Sequence, residues 1–245
     1  MRATARIVAV AGDRGTRLAV LSGEAPLLPR RTATTGTAGT ATVHLVGGAA
    51  GPLGGDRLRV EVEVGPGAAL TVHTTAATIA LPHRSGARSR TDVVATVAAG
   101  GCLYWLPEPV IAAAGCRHTA VTAVDLAAGA DLVWRDEVVC GRHGEEPGDL
   151  TVHTTVRRDG VPLHVHELSI GPAAPGWGGA AVLGGARAYG SMLVTGPHEP
   201  WVGRSSALMT LAGDAVLISS IGDPAEVRAA LAWQHTGNTR VTLPA

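Results

Sequence analysis

From Leu58 onward the apolar residues fall at every second position (Leu58, Val60, Val62, Val64), while Arg57, Arg59, Glu61 and Glu63 occupy the places between them. Side chains alternate faces along an extended chain, so this is the pattern of a half-buried β-strand. Gly65-Pro66-Gly67 ends it. Proline supplies a fixed φ and glycine the positive φ of a tight reversal, so Leu70–Thr75 is expected to return as a second strand.

The unit recurs. With Leu70, Leu103 and Leu132 in register, each is preceded three residues earlier by a glycine: Gly67, Gly100 and Gly129. Alternating residues come before that: Val60, Val62 and Val64, then Val93, Ala95 and Val97, then Thr122, Val124 and Leu126. The spacing is about thirty residues, one hairpin-sized unit per repeat. A weaker fourth copy runs Ala207–Ser219 and turns near Gly213. The expectation is an all-β fold of stacked strand–turn–strand units, in a single domain over residues 1–245.

One helix is signalled. Asp223 is a good N-cap, Pro224 suits the first helical position and Glu226 completes a D-x-x-E capping box; Val227, Ala230 and Leu231 then form one apolar stripe, ending before Gly237. Gly171–Gly190 reads as a loop leading into a strand at about Tyr189–Thr195, and Thr32–Thr42 has no clear period.

Composition narrows the chemistry. Phe is absent and aromatic residues make up 3%, so Val, Leu, Ile and Ala must build the core. Twenty basic residues balance twenty acidic ones, which argues against a nucleic-acid or anionic-membrane surface. Every basic residue is Arg, so phosphate-cradling and Schiff-base lysines are ruled out. No basic, apolar leader and no apolar run of membrane-spanning length is found, and Cys102, Cys116 and Cys140 lack C-x-x-C spacing; a cytoplasmic location is expected.

Catalytic patterns are missing: there is no G-x-S-x-G elbow, no G-x-G-x-x-G before a helix and no H-E-x-x-H. The Gly-rich Gly47–Gly55 segment opens a strand and so lacks a helix N-terminus for phosphate. Among ten histidines, His164 and His166 flank Val165, so on a strand both imidazoles project from one face, with Glu167 next in sequence. That is the best local metal-ligand geometry in the chain and suits Ni or Zn, although a solvated strand face explains it as well. His73, His118, His143 and His153 stand alone in sequence.

Four segments in order, GPLGGDRL, VGPGAALTVHTTAAT, GGCLYWLPEPVIAAAGC and VDLAAGADLVWRDEVVCGRHGEE, are similar to the UreD (also called UreH) family of urease accessory proteins, from about Val43 to Ile170. The resemblance implies a mostly β protein of stacked, β-helix-like layers with one or two short helices. It also implies a role as a non-catalytic scaffold that binds apo-urease subunits and the accessory proteins UreF and UreG, so that nickel reaches the urease active site, with a water-filled internal route as its path. No resident cofactor is implied, nickel being a passing cargo.

Carried over singly, the family pattern marks Asp56 in GGDRL, the pair Thr74 and Thr75, and Glu137 with Arg142 in WRDEVVCGR as candidates for that route. Asp56 has an equal rival reading as a turn carboxylate capping backbone N–H groups. A buried Glu137 would need a partner, for which Arg142 is a candidate; Glu145 reads as part of a surface loop. Where relatives carry Lys, Tyr and Arg after the threonine pair, this chain has Ala77-Thr78-Ile79-Ala80-Leu81-Pro82, so those polar functions are absent. The competing expectation is a β-fold metal-dependent enzyme using His164, His166 and a distant carboxylate.

Overall fold

The computed structural model describes residues 1–32, 39–196 and 206–232. The first strands are β1 (Arg2–Gly12), β2 (Gly15–Gly23), β3 (Leu27–Thr32) and β4 (Ala41–Gly47). Next come β5 (Arg57–Val64), β6 (Ala69–Thr74), β7 (Thr78–Ala80), β8 (Ser89–Val97) and β9 (Cys102–Trp105). They are followed by β10 (Val110–Ala112), β11 (Arg117–Leu126), β12 (Asp131–Cys140), β13 (Asp149–Arg158) and β14 (Val161–Ile170). The last described elements are β15 (Ala188–Val194), β16 (Ser206–Thr210), β17 (Val216–Gly222) and a helix, α1 (Pro224–Ala230).

Two sheets face each other. A seven-stranded sheet runs β14-β13-β11-β8-β5-β1-β2; a ten-stranded sheet runs β16-β17-β15-β12-β9-β6-β4-β3, with β10 and β7 branching from β12. Strands β5, β8 and β11 are parallel neighbours in the first sheet, and their successors β6, β9 and β12 are parallel neighbours in the second. The chain therefore winds as a β-solenoid of stacked coils. The repeat read from the sequence is the register itself: Val60, Val62 and Val64 lie opposite Val93, Ala95 and Val97, which lie opposite Thr122, Val124 and Leu126. On the other sheet Leu70, Leu103 and Leu132 stack directly.

The expected hairpin is replaced by an arch. Strands β5 and β6 form where expected, yet each pairs with the next coil and not with its sequence neighbour. The cause is the turn. Ala68 N–H donates to Gly65 O at 3.2 Å, Gly101 to Ala98 O at 2.8 Å and Ala130 to Ala127 O at 3.0 Å. The residue before each of these donors is a glycine at positive φ: 65° at Gly67, 69° at Gly100 and 70° at Gly129. Pro66 followed by Gly67 is the pattern of a type II turn, whose twist splays the flanking strands instead of pairing them. The Ala207–Ser219 unit differs, because β16 and β17 pair antiparallel across Gly213 as a true hairpin in one sheet.

The main core fills the space between the sheets with Ile7, Val43, Val62, Leu70, Leu103, Leu132 and their neighbours, and the stacked rings of Trp105 and Trp134 lie 5.0 Å apart. On the outer face of the seven-stranded sheet the intervening positions carry ion pairs such as Arg59–Glu61 and Arg90–Asp92. The expected strand after the Gly171–Gly190 loop is β15. The helix starts at the expected cap, where Glu226 accepts from the Asp223 N–H at 3.2 Å. It packs Val227 and the following Leu231 onto the outer face of the ten-stranded sheet against Val133, Met192, Val194 and Ile218. It ends at Ala230; Gly237 lies outside the described residues. No described helix is long and apolar enough to cross a membrane.

Leu103 is fully buried at the centre of the leucine column. Leu103→Ala should cost roughly 2–5 kcal/mol through lost burial and the cavity left behind, read as a lower urea midpoint with the slope unchanged.

Candidate functional site

The inward side chains become small or polar where β8 and β11 pass the middle of the seven-stranded sheet: Thr91, Ala120 and Thr122. They leave a cavity of about 410 Å³ between the sheets, closed across by Trp105, Asp136 and Val138 and bordered by the loops at Ala49–Pro52 and Thr74–Ile79. Most of its lining is aliphatic, with a few polar groups inside it.

Asp136 is one of them. Strand alternation turns Trp134, Asp136 and Val138 of β12 toward the interior and Arg135 and Glu137 away from it. The Asp136 carboxylate accepts from Trp134 Nε1 at 3.1 Å and from Thr154 Oγ1 at 2.9 Å. Burial pushes its carboxyl above the ordinary aspartate range, against the pull of those two donors. His118 is the second, at 1% exposure, with Nδ1 2.9 Å from Ser89 Oγ. Burial lowers its imidazole to about 4, helped by the nearby Arg88 charge, so the ring is neutral at physiological pH.

The expected site residues fall into different places. Thr74 and Thr75 both border the cavity. Thr74 Oγ1 accepts the Glu108 N–H at 2.9 Å and donates to Ala76 O at 3.0 Å, which ties the rim together. Asp56 is buried and caps its own turn: it accepts from Leu53 N–H at 2.9 Å and from the Met1 amino group at 2.7 Å.

Glu137 and Arg142 do not meet. Arg142 and Glu145 form an exposed pair, with Nε and Nη2 donating at 2.9 and 2.7 Å, and these bonds hold the Glu145 carboxyl low. Glu137 is among the residues that line the cavity, and its carboxylate lies under α1, where Arg228 Nε donates to it at 3.1 Å while the same guanidinium grips Glu108 with bonds of 2.8 and 2.6 Å. Arg135 Nε stands 3.0 Å from Glu137 without forming a hydrogen bond, and its Nη2 donates to Pro107 O at 2.8 Å. Burial pushes Glu137 up and Arg135 down, and each charge pulls the other back. Arg228 is 91 residues from Glu137 and 120 from Glu108, so no local pattern announces the contact.

His164 and His166 do share a face on β14, with ring centroids 5.9 Å apart and planes 14° from parallel. Burial lowers both imidazoles. Glu167 points the other way, 3.5 Å from His153 Nδ1, so it does not join the pair. Tyr189 does: its ring stacks on His166 at 5.4 Å, with the hydroxyl 3.4 Å from Nε2. Among the described residues no group of three or more His, Cys, Asp or Glu is arranged to hold a metal ion.

A family model described as UreD urease accessory protein matches residues 1–240. The chain belongs to the UreD family of urease accessory proteins. It is 49% identical over 234 residues to a protein named urease accessory protein UreD from Streptomyces avermitilis, covering 92% of each chain. Against the protein of that name from Streptomyces coelicolor the identity is 47% over 234 residues, covering 92% of this chain and 91% of the relative. Against the one from a Parafrankia species it is 42% over 241 residues, covering 87% and 80%.

Two interior groups of this UreD chain are legible in the alternation of the sequence. Extending the Thr122, Val124, Leu126 alternation backward puts His118 on the inward face, and the alternation through Leu132, Trp134 and Val138 puts Asp136 there. Arg228 could be found only in three dimensions.

Two measurements test this geometry. Arg228→Ala leaves the buried Glu137 with a poorer partner and should cost roughly 3 kcal/mol in denaturant unfolding. Glu108→Gln, at the half-exposed rim, should cost about 1 kcal/mol or less. For His118, the unfolded imidazole binds its proton near 6.5 and the folded one only near 4, so the unfolded state holds more protons between those values. Its contribution is complete above pH 6.5 and is lost as the pH falls through that window, by about 3 kcal/mol at pH 4. His118→Gln should flatten this part of the stability profile.

Proposed function

We propose that this chain is a non-catalytic scaffold of the cytoplasm that binds apo-urease together with UreF and UreG and helps deliver nickel to the urease active site. The observation that carries this reading is the cavity between the sheets, in a chain of the UreD family, with Asp136 and His118 at its inner wall and Thr74 and Thr75 at its border.

A conducted ion must bind well enough to enter and weakly enough to leave, so scattered donors serve better than a closed cage. Asp136 offers a carboxylate already committed to two donors, and His118 an imidazole committed on one side to Ser89. Imidazole nitrogen and carboxylate oxygen both suit Ni²⁺. Nickel is cargo in this scheme. Asp56, spent on its turn, and Glu137, spent on α1, act on the route by holding its walls.

The test is co-expression of the tagged chain with UreF, UreG and the urease subunits, reading co-purification, urease activity and urease nickel content. Wild type should co-purify and support activity. Asp136→Asn should keep the complex, because the amide satisfies both Trp134 and Thr154, and should lower nickel content and activity severalfold together. Failure of the wild-type chain to associate, with activity unaffected by its deletion, would overturn the proposal.

A further inference from the structure

Besides the border at Thr74–Ile79, a second line of polar side chains runs from the cavity to the edge of the seven-stranded sheet. Asp136 lines the cavity and accepts from Thr154. Thr154 lies opposite His166 in the β13–β14 ladder, so the two side chains are neighbours on the same inward face. His166 stacks on Tyr189 from the opposite sheet and on His164 toward the tip of the β13–β14 hairpin. Both histidines are half-buried, and β14 is an edge strand of its sheet. A file of donors (His164, His166 with Tyr189, Thr154, Asp136) thus joins the protein's edge to its interior.

We infer that His164 and His166 form a binding site for one divalent cation of the nickel or zinc class at the β14 edge, linked to the cavity wall through Thr154 and Asp136. Two imidazoles on alternate residues of one strand approach a shared ion from the same side, and water completes its coordination. Bonds of about 2.0–2.1 Å require only that the near-parallel rings turn about χ2, a soft torsion for histidine. A two-imidazole site open to water holds an ion less firmly than a closed four-ligand site, so exchange is fast. Glu167 is excluded by its orientation. The identification of the cargo as nickel rests on the function proposed above; the existence of the site does not.

The experiment is a titration of the full chain with NiCl2, following histidine ring resonances after selective labelling and measuring affinity by calorimetry. Paramagnetic broadening should reach the His164 and His166 rings first, with the Tyr189 ring beside them, at about one equivalent. The double variant His164→Gln/His166→Gln should bind Ni²⁺ at least tenfold more weakly. Broadening centred on other histidines, such as His83 or His143, or an unchanged affinity in a variant with wild-type circular dichroism, would overturn the inference. If the double variant does not fold, the wild-type broadening pattern decides alone. Loss of urease association in co-expression would remove the scaffold reading and leave this result standing, so the two fail separately.

Discussion

A glycine at positive φ three residues before a leucine governs this molecule. At Gly67, Gly100 and Gly129 the chain turns with a splaying twist, leaves one sheet and enters the other. Strands that a different turn would pair as hairpins become rungs of two parallel ladders. Everything else inherits that choice: parallel neighbours repeat the same side chain on the same face, so Leu70, Leu103 and Leu132 form a column, and Trp105 stacks on Trp134. A core without phenylalanine gains order from this repetition, since each residue packs against its own counterpart one coil away.

The same alternation explains how two adjacent acids come to have unrelated lives. Asp136 and Glu137 differ by one position and therefore by one face of β12. Asp136 looks into the cavity and is held by an indole and a hydroxyl. Glu137 looks outward and is roofed by α1, whose Arg228 joins it to Glu108. The first carboxylate lines the cavity; the second fixes a helix over apolar residues of the ten-stranded sheet that would otherwise face water. The loop that follows the threonine pair borders the cavity, where Ala77 and Ile79 present apolar groups. Asp136 and His118 are titratable side chains on the cavity's inner wall.

What the sequence determined by itself is the coil: period-two alternation, the Pro-Gly and Gly turns, their spacing of about thirty residues and the capping box at Asp223. Each alternation, turn and cap is a signal within a few residues, and the spacing of the turns carries the ladder register to the residue. The opening strand β1 was silent because its buried positions are mostly alanine (Ala3, Ala5, Ala9), which gives weak hydrophobic contrast. The tertiary structure alone decided that each turn is an arch, that Arg228 and not Arg142 meets Glu137, that Glu167 leaves the histidine pair while Tyr189 joins it, and that small residues on β8 and β11 leave space between the sheets. Those outcomes depend on which coil lies beside which and on contacts up to 120 residues apart. Local pattern reports the face on which a side chain stands; only packing brings a second face against it.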